Sequence, residues 1–337
     1  MEPPSEFEGF ARSVLGSNDL TFEQVRGGGN AQVWRVDDKG KPVAALKSYP
    51  AGEDGVSHRY KREVEALNFL KICNEIQVPE LIASNPGDQI ALIRWVEGEP
   101  APSNSLTLKD VKSLASFAIR LDQYGSRPDA ESLQLAQEST LATVDIGEQI
   151  DRRIARLDEI SDAEPLLAPF LKEVHQKRDE IWNRSLGRLK KIGLPVDLEL
   201  RPHMRTLSPS DFGFHNTVRR SDGSLIVLDF EYFGWDDPVR LALDFELHPG
   251  MNLSEEMTAL WREEVGGYFS DQDPTWKYRV GAWRPLLGLR WTLILLNEFL
   301  PDRWKQRQKA GVTEAREEKL RTQLSKAKAM LARAAKS

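Results

Sequence analysis

The chain has 337 residues, 40% of them hydrophobic and 29% charged with both signs mixed. That is apolar material for about two domains' worth of core and is unlike the composition of a disordered chain. Its one cysteine, Cys73, excludes an intrachain disulfide and fits a reducing compartment. The acidic start Met1-Glu2-Pro3-Pro4-Ser5-Glu6 lacks the apolar core of a signal peptide, and the most apolar run, near Trp291–Leu300, is too short to span a bilayer. A cytoplasmic protein is expected. The formal net charge of −6 is uneven: Asp302–Ser337 carry eleven Lys/Arg against four Asp/Glu, or +7, which leaves −13 on the rest. An acidic body argues against nucleic acid as a partner.

Residues 20–48 read as three short strands. Thr21–Arg26 runs into a glycine cluster, Ala31–Val36 alternates, and Val43–Lys47 is apolar up to a terminal lysine. Residues 57–72 carry Val64, Leu67, Phe69 and Leu70 at helical spacing. Pro79–Ala83 and Gln89–Val96 read as two more strands around the turn Asn85-Pro86-Gly87-Asp88, and Gly98 and Pro100 end the region. Beyond residue 105 the pattern is mainly helical, through Leu106–Tyr124 and the long stretch Ile146–Lys191. Residues 205–230 interrupt it with a loop and two short strands, and helix returns from Ser254. The expected architecture is α+β and bilobal, protein-kinase-like in its order of elements. A five-stranded lobe with one helix would span residues 1–97, and a mainly helical lobe residues 98–337.

Four motifs bear chemistry. Gly27-Gly28-Gly29-Asn30 between two strands would let backbone N–H groups approach phosphates without a Cβ in the way; taken alone, it reads equally as a hairpin turn. Lys47 ends an apolar strand and could reach phosphates, or be an ordinary edge lysine. Glu63 on the following helix would hold Lys47; Glu65, on roughly the opposite face, is the competitor. Asp211-Phe212-Gly213-Phe214-His215-Asn216 has D-x-x-x-x-N spacing, and Leu225-Ile226-Val227-Leu228-Asp229 is an apolar strand ending in an acid. This set suits phosphoryl transfer: Asp211 orients a hydroxyl, while Asn216 and Asp229 hold a metal. Asp211-Phe212-Gly213 also spells D-F-G, but no strand precedes it, so the metal-binding acid is Asp229 and not Asp211.

These residues resemble the aminoglycoside phosphotransferase and choline kinase-like family from about Phe22 to about Pro249. The resemblance rests on the glycine loop, Lys47, Glu63, the loop Ser208–Asn216, and Asp229-Phe230-Glu231 followed by Asp237-Pro238. It implies transfer of the γ-phosphoryl group of ATP, with Mg²⁺, to a hydroxyl of a small-molecule acceptor. It also implies an adenine hinge at Ile93–Gly98, where the backbone of Arg94 and Val96 would bond the base. Two positions depart from the family pattern. Pro209 stands where the family has a histidine two residues before the catalytic Asp, so the loop must be held otherwise. Leu241 stands where the family has an Asp after the Asp-Pro pair, and Asp244 follows three residues later.

On the acceptor side, Trp283, Arg284, Arg290, Trp291, Asn297 and Glu298 are candidates, with core packing as the alternative for the tryptophans. The arginines disfavour a polycationic aminoglycoside, and a sugar or sugar acid is preferred. His203 and His215 have no zinc-ligand spacing around them, and His215 reads as a loop residue near the nucleotide. The basic tail 313–336 is expected to pack on the helical lobe rather than on a membrane. A rival expectation, suggested by Pro209 and the lost third loop glycine at Gln32, is a nucleotide-binding pseudokinase with a regulatory or scaffold role. The joint presence of Lys47, Asp211, Asn216 and Asp229 favours the enzyme. The sequence leaves the oligomeric state open.

Overall fold

Period-two alternation explains the first lobe of the computed structural model, which describes residues 2–25, 31–50, 57–101, 105–309 and 315–337. Strands β1 (Leu20–Gln24), β2 (Gln32–Asp38), β3 (Lys41–Ser48), β4 (Leu81–Asn85) and β5 (Ile90–Arg94) form one antiparallel sheet in the order β1-β2-β3-β5-β4. Ile90 and Leu92 of β5 join Trp34, Val36, Ala44 and Leu46 in a small core on one face. Ala91 and Ile93 point the other way, into the main core. Burial on both faces is why β5 reads as a continuous apolar run.

Helix α1 (Ser5–Leu15) covers the outer face with Phe7, Phe10 and Ala11, and Gly16 ends it in the left-handed conformation (φ 65°). The sequence reading did not include this helix, although its apolar residues carry helical spacing; it lies upstream of the family resemblance. Helix α2 (His58–Ile72) links β3 to β4, and the Ser57 hydroxyl caps it by accepting from the Tyr60 N–H.

Beyond β5, Gly98 has a φ of 149° and a close approach to Arg219 that both demand glycine: a Cβ there would lie 2.2 Å from the Arg219 carbonyl oxygen. Two small antiparallel sheets follow. One orders β6 (Glu99–Pro100), β8 (Thr217–Arg219) and β9 (Leu225–Val227); the other pairs β7 (Thr206–Ser208) with β10 (Gly234–Asp236).

Around them lie α3 (Leu108–Gly125), α4 (Thr143–Asp158), α5 (Ala168–Lys190), α6 (Pro238–Leu247), α7 (Glu255–Trp261), α8 (Gly267–Ser270), α9 (Trp276–Leu295), α10 (Pro301–Lys309) and α11 (Arg316–Lys336). The long helical stretch Ile146–Lys191 is two helices, α4 and α5. They are broken where Glu164, preceding Pro165, leaves the helical region (φ −122°, ψ 83°).

Helix α9 is the hub, packed by α4, α5, α6 and α11 and apolar on nearly every side. The tail helix α11 lies on it through Leu320, Leu324, Ala327 and Leu331, as its spacing foretold. Gly288 of α9 allows this approach, since a Cβ there would meet the Ala334 Cβ at 2.9 Å. Among the described residues, no helix is long and apolar enough to cross a membrane.

Two glycines should respond to alanine with opposite sign. Gly98→Ala adds strain and a backbone clash and should cost roughly 1–3 kcal/mol. Gly281→Ala, mid-helix with no neighbour within 4 Å of its Cβ position, should stabilise by about 0.4–1 kcal/mol. Urea denaturation of both variants checks the pair; a neutral Gly98→Ala would contradict the account of its close approach.

Candidate active site

On β3, Ala44 and Leu46 face the small core, so the alternation sends Lys47 to the opposite face, toward α2 and the second lobe. There its Nζ lies 2.6 Å from Glu63 Oε2 and 2.6 Å from Asp229 Oδ1. Glu63 is buried, accepts from the Tyr49 hydroxyl at 2.6 Å and from the Phe230 N–H at 3.4 Å. Glu65 faces outward and pairs with Lys61 at 3.8 Å. The helix phase thus places Glu63, not Glu65, on Lys47.

Burial alone would lower the Lys47 pKa, but Asp229, Glu63 and Glu231 outweigh it and hold the ammonium charged. Glu231 is 1% exposed and lies 3.9 Å from Arg59. Burial, then the charge of Asp229, pushes its carboxyl up to about 7.

Asp229 follows β9 with φ 67°, and Ser210, which precedes Asp211, has φ 69°. Left-handed backbone in non-glycine residues is costly and tends to gather at functional sites. Asp211 follows β7 by three residues, and its backbone N–H turns back to the Pro209 carbonyl at 2.9 Å. Ser208 Oγ accepts from the Ser210 N–H at 3.0 Å, and Arg240 Nη2 donates to Ser210 Oγ at 2.9 Å. These contacts hold the loop where Pro209 replaces the family histidine.

The Asp211 carboxylate itself meets His215 Nε2 at 2.9 Å, His248 Nε2 at 3.7 Å and Asn216 Nδ2 at 3.3 Å. Burial would raise its pKa, but these neighbours keep it below the usual carboxylate value. The two imidazoles stack at 3.8 Å, and Trp291 lies edge-on to His248 at 4.7 Å. The Gly250 N–H donates to His248 Nδ1 at 3.1 Å, so the neutral ring carries its proton on Nε2, toward Asp211. Burial, then His215, lowers the His248 pKa to about 4 and keeps that ring neutral.

Asp211, Asn216 and Asp229 line one cavity of about 560 Å³. The Leu228 N–H donates to the Asn216 carbonyl at 2.8 Å and ties the two acid-bearing segments together. Asp229, Asn216 and the neighbouring Glu231 offer oxygen donors alone, the chemistry that suits a hard cation such as Mg²⁺. Glu63, Asp229 and Glu231 bring carboxylate oxygens within 4.8 Å of one another, with Lys47 between two of them. A divalent ion at that edge would relieve the repulsion that raises Glu231.

Gly27, Gly28, Gly29 and Asn30 lie outside the described residues. At the hinge, the Arg94 N–H is committed to the Glu80 carbonyl at 2.8 Å, whereas no backbone carbonyl takes the Val96 N–H among the described residues. Of the acceptor-side candidates, Arg290, Trp291, Asn297 and Glu298 line the cavity. Trp283 does not: it is 1% exposed in the core and donates to Thr143 Oγ1 at 2.9 Å. Arg284 is turned to Glu246 at 2.8 Å. His248 was not singled out from the sequence, and Glu231 entered only as part of Asp229-Phe230-Glu231, without a role of its own.

A five-stranded lobe and a helical lobe meeting at a buried lysine–acid link make a protein-kinase-like architecture of the kind used by small-molecule phosphotransferases. The chain belongs to the phosphotransferase enzyme family (APH), whose model matches residues 21–240. Three solved structures share its fold at low identity. The gentamicin complex of APH(2")-IIa is 16% identical, with a TM-score of 0.60 and 98% of this chain and 97% of that chain covered. Choline kinase from Cryptosporidium parvum Iowa II is 14% identical, with a TM-score of 0.61 and 98% of each chain covered. ADP-bound aminoglycoside phosphotransferase APH(2'')-Ib is 17% identical, with a TM-score of 0.53 and 98% of this chain and 99% of that chain covered. No curated protein sequence matches the chain significantly.

Lys47→Ala should abolish most turnover and weaken nucleotide binding, while Glu65→Ala should change either by less than about twofold, the scale of an exposed pair. Nucleotide calorimetry and ATP turnover check this, and a crippling Glu65→Ala would contradict the helix phase. Glu231 yields a pH signature. Its folded pKa, about 7, lies above the ordinary 4.5, so its contribution is full below 4.5 and is lost as pH rises through 7. Melting of the metal-free protein should therefore fall over that window, and Glu231→Gln should flatten the fall. An unchanged profile in Glu231→Gln would contradict the charge assignment.

Proposed function

We propose that this phosphotransferase uses ATP with Mg²⁺ and moves the γ-phosphoryl group to a hydroxyl of a small molecule. The observation that carries the reading is the Lys47–Asp229 ion pair at 2.6 Å, which brings a buried cation and an acid to the cavity that Asp211 and Asn216 also line. Residues 1–97 would hold chiefly the nucleotide and residues 98–337 the acceptor. The ADP carried by a solved relative supports an adenine nucleotide. Val96 would offer its N–H to the base and Arg94 only its carbonyl, since the Arg94 amide is taken. The glycine segment 27–29 with Asn30 would cover the phosphates, and Lys47 would exchange Asp229 for phosphate oxygens. Asn216 and Asp229 would hold Mg²⁺, which neutralises phosphate charge when bound.

In the transfer, the acceptor oxygen bonds to the γ-phosphorus as the bond to the β–γ bridging oxygen breaks. ADP leaves, and the hydroxyl proton passes to Asp211 or onward to water. A carboxylate held acidic by two imidazoles and an amide is a weak base. Asp211 therefore acts chiefly by aiming the hydroxyl in line and accepts the proton late. A sugar or sugar acid is the acceptor frame preferred here, and the cavity of about 560 Å³ has room for one.

Asp211→Asn keeps the shape and removes charge and basicity. It should lower kcat by about 10²–10⁴-fold while ATP affinity changes by less than about tenfold. Asp229→Asn should damage both, because that carboxylate lies beside the phosphates. The checks are calorimetric ATP binding and ATP consumption with an acceptor drawn from a metabolite screen. Undiminished turnover in Asp211→Asn would overturn the assignment.

A further inference from the structure

Hydrogen-bond accounting along the far wall of the cavity points to the kind of acceptor. Three guanidinium groups converge there: Arg153 from α4, Arg240 from α6 and Arg290 from α9. Two of the carboxylates they face are heavily engaged. Asp244 accepts from Arg240 Nε at 3.2 Å, from Arg290 Nη1 at 3.1 Å and from the Trp291 indole at 2.7 Å. Asp236 accepts from the Thr140 and Asp237 N–H groups at 2.9 Å each and from Arg240 Nη1. Glu138 takes Arg153 Nη2.

Two of the three guanidiniums are not filled. Arg290 is 5% exposed, uses Nη1 alone on Asp244, and leaves its buried Nε without a hydrogen-bond partner; the buried Arg153 Nε has none either. Arg303 and Glu298 stand on the same wall, each with an interaction of its own. Burial, together with the charges of Arg240 and Arg153, lowers the Arg290 pKa despite Asp244. The wall thus pairs its charges one for one but keeps guanidinium donors in reserve at Arg290 and Arg153. A guanidinium with unused donors at the edge of a cavity can be completed by an anion bound there. Guanidinium forks match carboxylate and phosphate oxygens in geometry.

We propose that the acceptor carries an acidic group, a carboxylate or a phosphate, that docks on Arg290 and Arg153 while its hydroxyl faces Asp211. This rests on the phosphotransferase reading and names the class of its second substrate.

The test uses the wild-type protein with Mg²⁺ and a non-hydrolysable ATP analogue, and four probes on one frame: gluconate, glucose 6-phosphate, glucose and glucosamine. Calorimetry reads their affinities. At least one of the two acids should bind at least about tenfold more tightly than glucose, the scale of one charge-assisted hydrogen bond, with glucosamine weakest. Whichever acid is preferred tells carboxylate from phosphate. Arg290→Met should bring the acid-to-glucose ratio toward one with analogue binding retained. Arg153→Gln, at a side chain 16% exposed, should lower the ratio in the same direction and serves if Arg290→Met does not melt cooperatively. No preference for either acid, a preference for glucosamine, or a ratio unmoved in Arg153→Gln overturns the proposal. Failure of the wild type to bind the ATP analogue would sink the phosphotransferase reading instead, so the two failures are distinct.

Discussion

The buried ammonium of Lys47 is the charge on which the rest of the site depends. It sits at 2.6 Å from one acid of its own lobe, Glu63, and at 2.6 Å from one acid of the other, Asp229. Sheet and helix phase bring it there: β3 alternation aims it inward and α2 turns Glu63 to meet it. Without it, Glu63, Asp229 and Glu231 would crowd three carboxylates into a largely buried space. An uncompensated buried charge is far costlier than the net gain of the pair. The same excess of acid makes this edge of the cavity receptive to a cation; burial, and then the charge of Asp229, raise the carboxyl of Glu231.

The second lobe meets this lysine with a loop that is braced in an unusual way. Pro209 cannot supply the side-chain hydrogen bonds of the histidine found there in the family. Arg240 reaches the loop through Ser210, and the stacked His215 and His248 approach the Asp211 carboxylate directly. Arg240 also binds Asp236 and Asp244, so the loop, the start of α6 and the acceptor wall belong to one polar network. Asp237 caps α6 by accepting from the Val239 N–H at 2.7 Å and pairs with Arg279 of α9. The Asp237-Pro238 pair therefore works on the position of the network rather than on the substrate.

Much of the arrangement around Lys47 was legible in the sequence because its signals are local. A strand ending in lysine, a helix phase that separates Glu63 from Glu65, and a strand ending at Asp229 each follow from the periodicity of one segment. The D-F-G spelling at Asp211 was separable for the same reason, and Lys47 does pair with Asp229 and not with Asp211. The acceptor side was less legible. Helix α9 is buried all round, so no polar face tells which tryptophan turns to the cavity; Trp291 does and Trp283 lies in the core. His248 stands in the turn after α6 with no motif around it, and only tertiary packing brings it onto His215. The donor surplus at Arg290 is a property of three helices together and has no sequence pattern at all.

The central claim is that Lys47, Asn216 and Asp229 form one nucleotide–metal site joining the two lobes. A crystal structure with a non-hydrolysable ATP analogue and Mg²⁺ tests it most directly. Side-chain oxygens of Asn216 and Asp229 should coordinate the metal at about 2.0–2.1 Å, with Lys47 on the phosphates and still on Glu63. A metal held elsewhere, with Asn216 and Asp229 distant from it and Lys47 clear of the phosphates, would contradict the account.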